Sequence, residues 1–146
     1  MRATITKWLS LCGLMLHTLA HSATARDAAT NAVVDLLDAA ASKLVFRVGG
    51  TLGSPGAAAA TLTFATPAFG ASSAGVATAN AIASDTNCAG NASAVSKASL
   101  ETSGGTVHIY CDVAASASDI NMTNGLTVAS GDTVSCSSLT YTALPA

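Results

Sequence analysis

His108, Tyr110 and Asp112 stand at alternate positions of one apolar-patterned segment, and they are the residues of this chain whose types and spacing best suit proton transfer. Alternation along a strand puts three such side chains on one face. A hydrolytic triad also needs a nucleophile on a sharp strand-to-helix turn. Gly70-Ala71-Ser72-Ser73-Ala74-Gly75 departs from that spacing and lies between two β-patterned segments. Neighbouring polar residues on an outward strand face are ordinary cross-strand decoration. No catalytic residue is therefore assigned, and the chain reads as non-enzymatic.

The other polar groups lead to the same reading. Asp85, Glu101, Asp112, Asp119 and Asp132 lie in or beside segments patterned as turns, where carboxylates hold backbone amides. Gly49-Gly50-Thr51-Leu52-Gly53 follows a strand pattern but lacks the lysine of a phosphate loop and the helix of a dinucleotide fold, so it reads as a connection. Asp119 and Asp132 do not belong to an ordered run of oxygen ligands such as calcium needs. Beyond Arg47 the only basic residue is Lys97, against those five acids, and aromatics are scarce, with three Phe, two Tyr and one Trp in 146 residues. That supply suits neither phosphate contacts nor base stacking. The expectation is no cofactor, no metal, no nucleic acid and no small-molecule substrate.

Cys88, Cys111 and Cys136 form no Cys-x-x-Cys pair and have no histidine cluster beside them, which argues against zinc. Alternation groups Val107, Ile109, Cys111 and Val113 on one face, and Val134 with Cys136, so Cys111 and Cys136 are both expected to point inward. Two readings stand for them: buried thiols acting as small apolar residues, or a Cys111 to Cys136 disulfide in an oxidising compartment.

These residues must be positioned by short strands. Residues 27–41 place Ala29, Val33, Leu36, Leu37 and Ala40 on one face of an amphipathic helix. Leu44, Phe46 and Val48 alternate as a half-buried strand, and Gly53-Ser54-Pro55-Gly56 reads as a loop. Further strands are predicted over 61–65, 75–82, 92–101, 106–113, 118–122, 126–128 and 133–142, with Ser103-Gly104-Gly105 closing a hairpin. The predicted fold class is mainly β, an antiparallel β-sandwich or jelly-roll-like barrel of seven to eight strands preceded by one amphipathic helix.

Ahead of it, residues 1–25 pair a basic start (Arg2, Lys7) with an apolar run and the small-x-small triplet Ala23-Thr24-Ala25. They form either a secretory signal or a leader from a misplaced start. The expected organisation is a leader over 1–25, a helix over 26–42 and a β domain over 43–146. Thr and Ser fill the outward strand positions, where charged side chains would guard a monomer against association, so assembly is expected.

Phe64 to Ile82, Ser118 to Leu144 and the helix before the first strand resemble small virion structural proteins of tailed phages and prophages. The likeness rests on Pro67-Ala68-Phe69-Gly70, the small-residue strand after it, Asp119-Ile120-Asn121-Met122 and the Thr133 to Thr140 strand. It implies a capsid decoration or cement protein, or a tail accessory subunit. Such a protein is a homo-oligomer, with a trimer among the expected forms, and its partner is a major capsid or tail protein. It implies no catalytic residues and a place in the virion. Residues 91–101 depart from the group in carrying neither an aromatic nor an arginine. The leader points to the other class considered, an exported surface subunit of fimbrial or adhesin type at the cell surface.

Overall fold

The computed structural model describes residues 20–144. Most of the expected leader, with Trp8 and Cys12, lies outside the described residues. The Ser22 hydroxyl accepts from the Ala25 amide at 3.2 Å, satisfying one of the free donors at a helix start. Helix α1 accordingly runs Ala23–Val34, beginning ahead of the predicted Asp27. A single 3-10 turn, Asp35–Leu37, replaces its predicted last turn. The Asp38 carboxylate there accepts from the Ala68 amide at 3.0 Å, and Ala41 takes a left-handed φ of 61°, so the chain swings into the sheet.

Eight strands follow: β1 Lys43–Thr51, β2 Ser54–Phe64, β3 Val76–Thr78, β4 Ile82–Ala83, β5 Lys97–Glu101, β6 Val107–Ala114, β7 Ile120–Asn121 and β8 Thr140–Thr142. Six form one sheet in the order β4-β2-β1-β5-β6-β7, and β3 pairs with β8 in a second. Neighbours are antiparallel except β6 and β7. The molecule is mainly β and sandwich-like, with one short helix, as the sequence pattern predicts.

The main sheet supplies Leu44, Phe46, Leu62, Phe64, Ala98, Leu100 and Val113 to the core. The second layer answers with Val34, Leu37, Ala68, Phe69, Ala77, Cys88, Val95 and Val128. Phe64 and Phe69 meet with ring centroids 5.6 Å apart, tilted by 38°, a favourable aromatic geometry. Thr30, fully buried on α1, donates to the Gly75 carbonyl at 2.8 Å and accepts from the Ala143 amide at 3.2 Å. It thereby ties the helix to both strands of the small sheet.

Four predicted details differ. The loop expected over Gly53 to Gly56 is a tight reversal at Leu52 and Gly53, and Ser54, Pro55 and Gly56 belong to β2, with Thr51 opposite Ser54 and Gly50 opposite Pro55. The strand expected over 75–82 divides between the two sheets as β3 and β4. Residues 126–128 and most of 133–142 form single bridges, Asn91 to Val128 and Asp85 to Val134. Their alternation reflects the burial of individual side chains such as Val128, and loops lie opposite them. Finally, a bulge at Leu100/Glu101 sets Val107 opposite Glu101, so Val107 leaves the row of Ile109, Cys111 and Val113 that packs on the core.

Candidate functional site

The face of the main sheet turned away from the core carries the densest polar network. The register places Arg47 beside Lys97, Val45 beside Ser99, Lys43 beside Glu101, Ser99 beside Tyr110 and Lys97 beside Asp112. Three of the four basic side chains among the described residues, Lys43, Arg47 and Lys97, therefore share one face; Arg26 on α1 is the fourth. Lys97 pairs with Asp112, and that hydrogen bond raises the lysine's pKa.

Arg47 is the centre of the network. Its Nε donates to Ser99 Oγ at 2.7 Å, one terminal nitrogen donates to the Gly56 carbonyl at 2.7 Å, and the other meets both Glu101 oxygens at 3.3 and 3.0 Å. Both partners are largely buried, with side-chain exposures of 14% for Arg47 and 6% for Glu101. A planar guanidinium suits this fork of carboxylate, hydroxyl and carbonyl as a lysine would not. Tyr110 adds a second tie by donating to the Gly49 carbonyl at 2.6 Å, while the Gly56 amide reaches its hydroxyl at 3.5 Å.

Together these groups grip the base of an arm. Strand β5 covers β1 only as far as Arg47, and β4 covers β2 only at Thr63 and Phe64. Beyond Arg47, β1 and the facing part of β2 run on as a two-stranded ribbon with Leu52 exposed at its tip. At the base the strands approach so closely that only glycine fits. A Cβ on Gly50, whose φ is +94°, would stand 2.1 Å from the Gly56 nitrogen, and one on Gly56 would stand 2.1 Å from the Val48 carbonyl oxygen. No charged residue occurs from Val48 to Ala60. Isolated two-stranded ribbons are marginal in water, so the grip of Arg47 and Tyr110 gives this one its fixed direction.

A cavity of about 410 Å³ opens between residues 119–125 and 133–140. Hydroxyls and amides dominate its lining, with Cys136 among them, and its one carboxylate, Asp119, is committed to the Asp112 amide at 2.9 Å.

The residues singled out from sequence are dispersed. Tyr110 and Asp112 face outward as expected, but His108 is the extra residue of the bulge, and Asp112 is engaged by Lys97. Asp85 accepts from the Thr61 and Asn87 amides and Asp132 from the Ala129 amide, which is turn and edge work. Glu101 belongs to the arginine pair, and Asp112 lies within β6. Asp119 and Asp132 do not converge, and no cluster of metal-ligating side chains occurs among the described residues. Cys88, Cys111 and Cys136 are free thiols, so Cys111 and Cys136 are not joined in this structure. Cys111 Sγ faces the Ala98 carbonyl at 3.6 Å and Cys136 Sγ the Ser138 carbonyl at 3.4 Å.

Sequence reasoning missed the arginine network and the arm. A signal was present, because alternation already groups Lys43 with Arg47 and Lys97 with Glu101. Knowing that β1 lies beside β5 is what joins the two sets. Comparison with protein-family models, curated proteins and solved structures finds no match to this chain.

Proposed function

We propose that the chain is a non-enzymatic structural protein of a tailed-phage or prophage virion, a homo-oligomer that decorates or cements a capsid or tail. The observation that supports self-association is the uncharged β1–β2 arm, gripped at its base and carrying an exposed leucine at its tip. Exposed strands without charged guards associate readily. The phage assignment rests on the sequence resemblance, and a major capsid or tail protein is the larger partner it implies. The function is adhesion through buried surface, with no catalytic residue assigned.

The leader favours a second reading, an exported surface subunit. The triplet Ala23-Thr24-Ala25 lies in the first turn of α1, so a cut after Ala25 would remove the Ser22 cap. The two readings therefore describe different mature proteins. Intact mass and thiol titration of the protein isolated from its native source separate them. The virion reading expects Ser22 retained, Cys111 and Cys136 reduced, and the protein sedimenting with particles. A chain lacking residues 1–25 with two thiols oxidised would overturn it in favour of export.

A further inference from the structure

We propose that Asn124 is a site of spontaneous covalent modification, its side-chain amide converting through a cyclic imide with Gly125 to aspartate and isoaspartate. Asparagine is chemically labile because the backbone nitrogen of the next residue can attack its side-chain carbonyl carbon. A side chain on that next residue, or a hydrogen bond that holds either group, hinders the attack. Asn124 is the only one of the six asparagines that is followed by glycine. The fold separates it from the others. Asn31 accepts from the Ser72 amide at 2.8 Å, and Asn80 donates to the Pro67 carbonyl at 3.0 Å. Asn91 accepts from the Ser93 amide at 2.9 Å and Asn121 from the Ser118 amide at 3.1 Å. Behind Asn87, the Cys88 amide is committed to the Asp132 carbonyl at 3.0 Å. Asn124 is exposed and its side chain has no hydrogen-bond partner among the described residues, and no hydrogen bond of normal geometry holds the Gly125 amide.

The chain is pinned on both sides of this turn. The Met122 amide donates to the Ala114 carbonyl at 2.9 Å, and the Leu126 carbonyl accepts from the Val95 amide at 2.8 Å. Only Thr123, Asn124 and Gly125 lie between, so they can rearrange while both layers stay folded. Gly125 has a φ of +110°, and a Cβ built there would meet nothing within 4 Å, so the space that the ring needs is open. In the reaction the Gly125 nitrogen loses its proton to water and bonds to Asn124 Cγ. The Cγ–Nδ2 bond breaks and that nitrogen leaves as ammonia. Water then adds to either imide carbonyl, and which ring C–N bond opens decides between aspartate and isoaspartate. Water is taken up and ammonia released, with no change of oxidation state. Asn124 and Asp119 both line the cavity between residues 119–125 and 133–140, so the product adds a carboxylate to a wall that has one.

Ageing of the full chain in mildly alkaline buffer, with and without urea, tests the proposal, read by peptide mass spectrometry that separates aspartate from isoaspartate. The Asn124 peptide should convert in the native chain within about threefold of its rate in urea, because no hydrogen bond has to break first. Asn31, held on α1 by the Ser72 amide, should instead fall at least about tenfold below its own rate in urea. Gly125→Ala places a Cβ against the attacking nitrogen, and Asn124→Gln would have to close a larger ring. Each should lower product at this position at least about tenfold, with circular dichroism verifying the fold. Asn124→Gln carries the test alone where alanine at the positive φ prevents folding. An Asn124 that reacts more than about tenfold slower in the native chain than in urea would overturn the proposal, since the turn would then be holding it. An Asn124→Gln chain that gains an acidic form on ion exchange as fast as wild type would overturn it too.

Discussion

Burial pushes the Cys111 thiol up to about 11, and burial likewise raises those of Cys88 and Cys136, with Asp85 adding to the effect at Cys88. At neutral pH each is held as the poorly nucleophilic thiol. Access then decides reactivity. Cys136 lines the cavity, Cys111 is half-buried and Cys88 is 1% exposed, so timed alkylation of the native protein should modify Cys136 first and Cys88 last. Peptide mass spectrometry reads the order, and Cys88 reacting as fast as in the denatured chain would contradict this packing. Strand alternation was enough to turn Cys111 toward the core, because a period of two fixes the face. Whether Cys111 meets Cys136 depends on how a 115–139 connection is routed, and alternation carries no information about that. The same gap misplaced Val107, since a bulge breaks the period without leaving a mark in the side-chain pattern.

Strand β5 is held to β1 by the Arg47–Glu101 ion pair as well as by the apolar contacts of its core face. Removing Glu101 leaves the Arg47 charge enclosed without a counter-charge, a change that costs about 3–5 kcal/mol in comparable buried pairs. Glu101→Ala should therefore destabilise the chain by an amount of that order in urea denaturation. The double variant Arg47→Met, Glu101→Leu should recover much of the loss, because it removes both charges and keeps the volume. A double-mutant cycle with no coupling would show that the pair is not the grip described above. The double variant nonetheless gives up the bond to the Gly56 carbonyl, so exchange protection in the arm should stay lowered even where global stability returns. At this scale the sequence was a good guide to β1, β5 and β6, whose apolar residues alternate cleanly. It was a poor guide to β2, where Gly, Ser and Pro suggested a loop. Those residues instead permit a close strand crossing, and the polar grip holding it is assembled from β1, β5 and β6.

The layered plan follows from the pattern of strands, but the second layer is mostly connecting chain, and its attachment to the sheet was not legible because carboxylates at distant positions provide it. Asp27 accepts from the Gly75 amide at 2.7 Å and from the Ser72 hydroxyl at 2.8 Å, joining α1 to the turn before β3. Asp85 accepts from the Thr61 amide at 2.8 Å, joining a connecting loop to β2. The Gly75 amide, then the Ser72 hydroxyl, hold Asp27 below its ordinary 3.8, and the Thr61 amide does the same for Asp85. A carboxylate whose pKa is lower in the folded chain stabilises it above the unfolded value, and that contribution is lost as pH falls through the folded one. Acidification below about pH 3.8 should therefore loosen the second layer at these two attachments before it loosens the β1–β5 ladder, whose core face is lined by Leu44, Phe46, Ala98 and Leu100. In hydrogen exchange followed residue by residue, protection at Gly75 and Thr61 should fall before protection at Val45 and Ser99. Asp85→Asn keeps an acceptor for the Thr61 amide but cannot titrate, so it should abolish the acid sensitivity at Thr61 and leave that at Gly75. Simultaneous loss at all four amides would mean that the two layers unfold as one unit and that these carboxylates do not set the order.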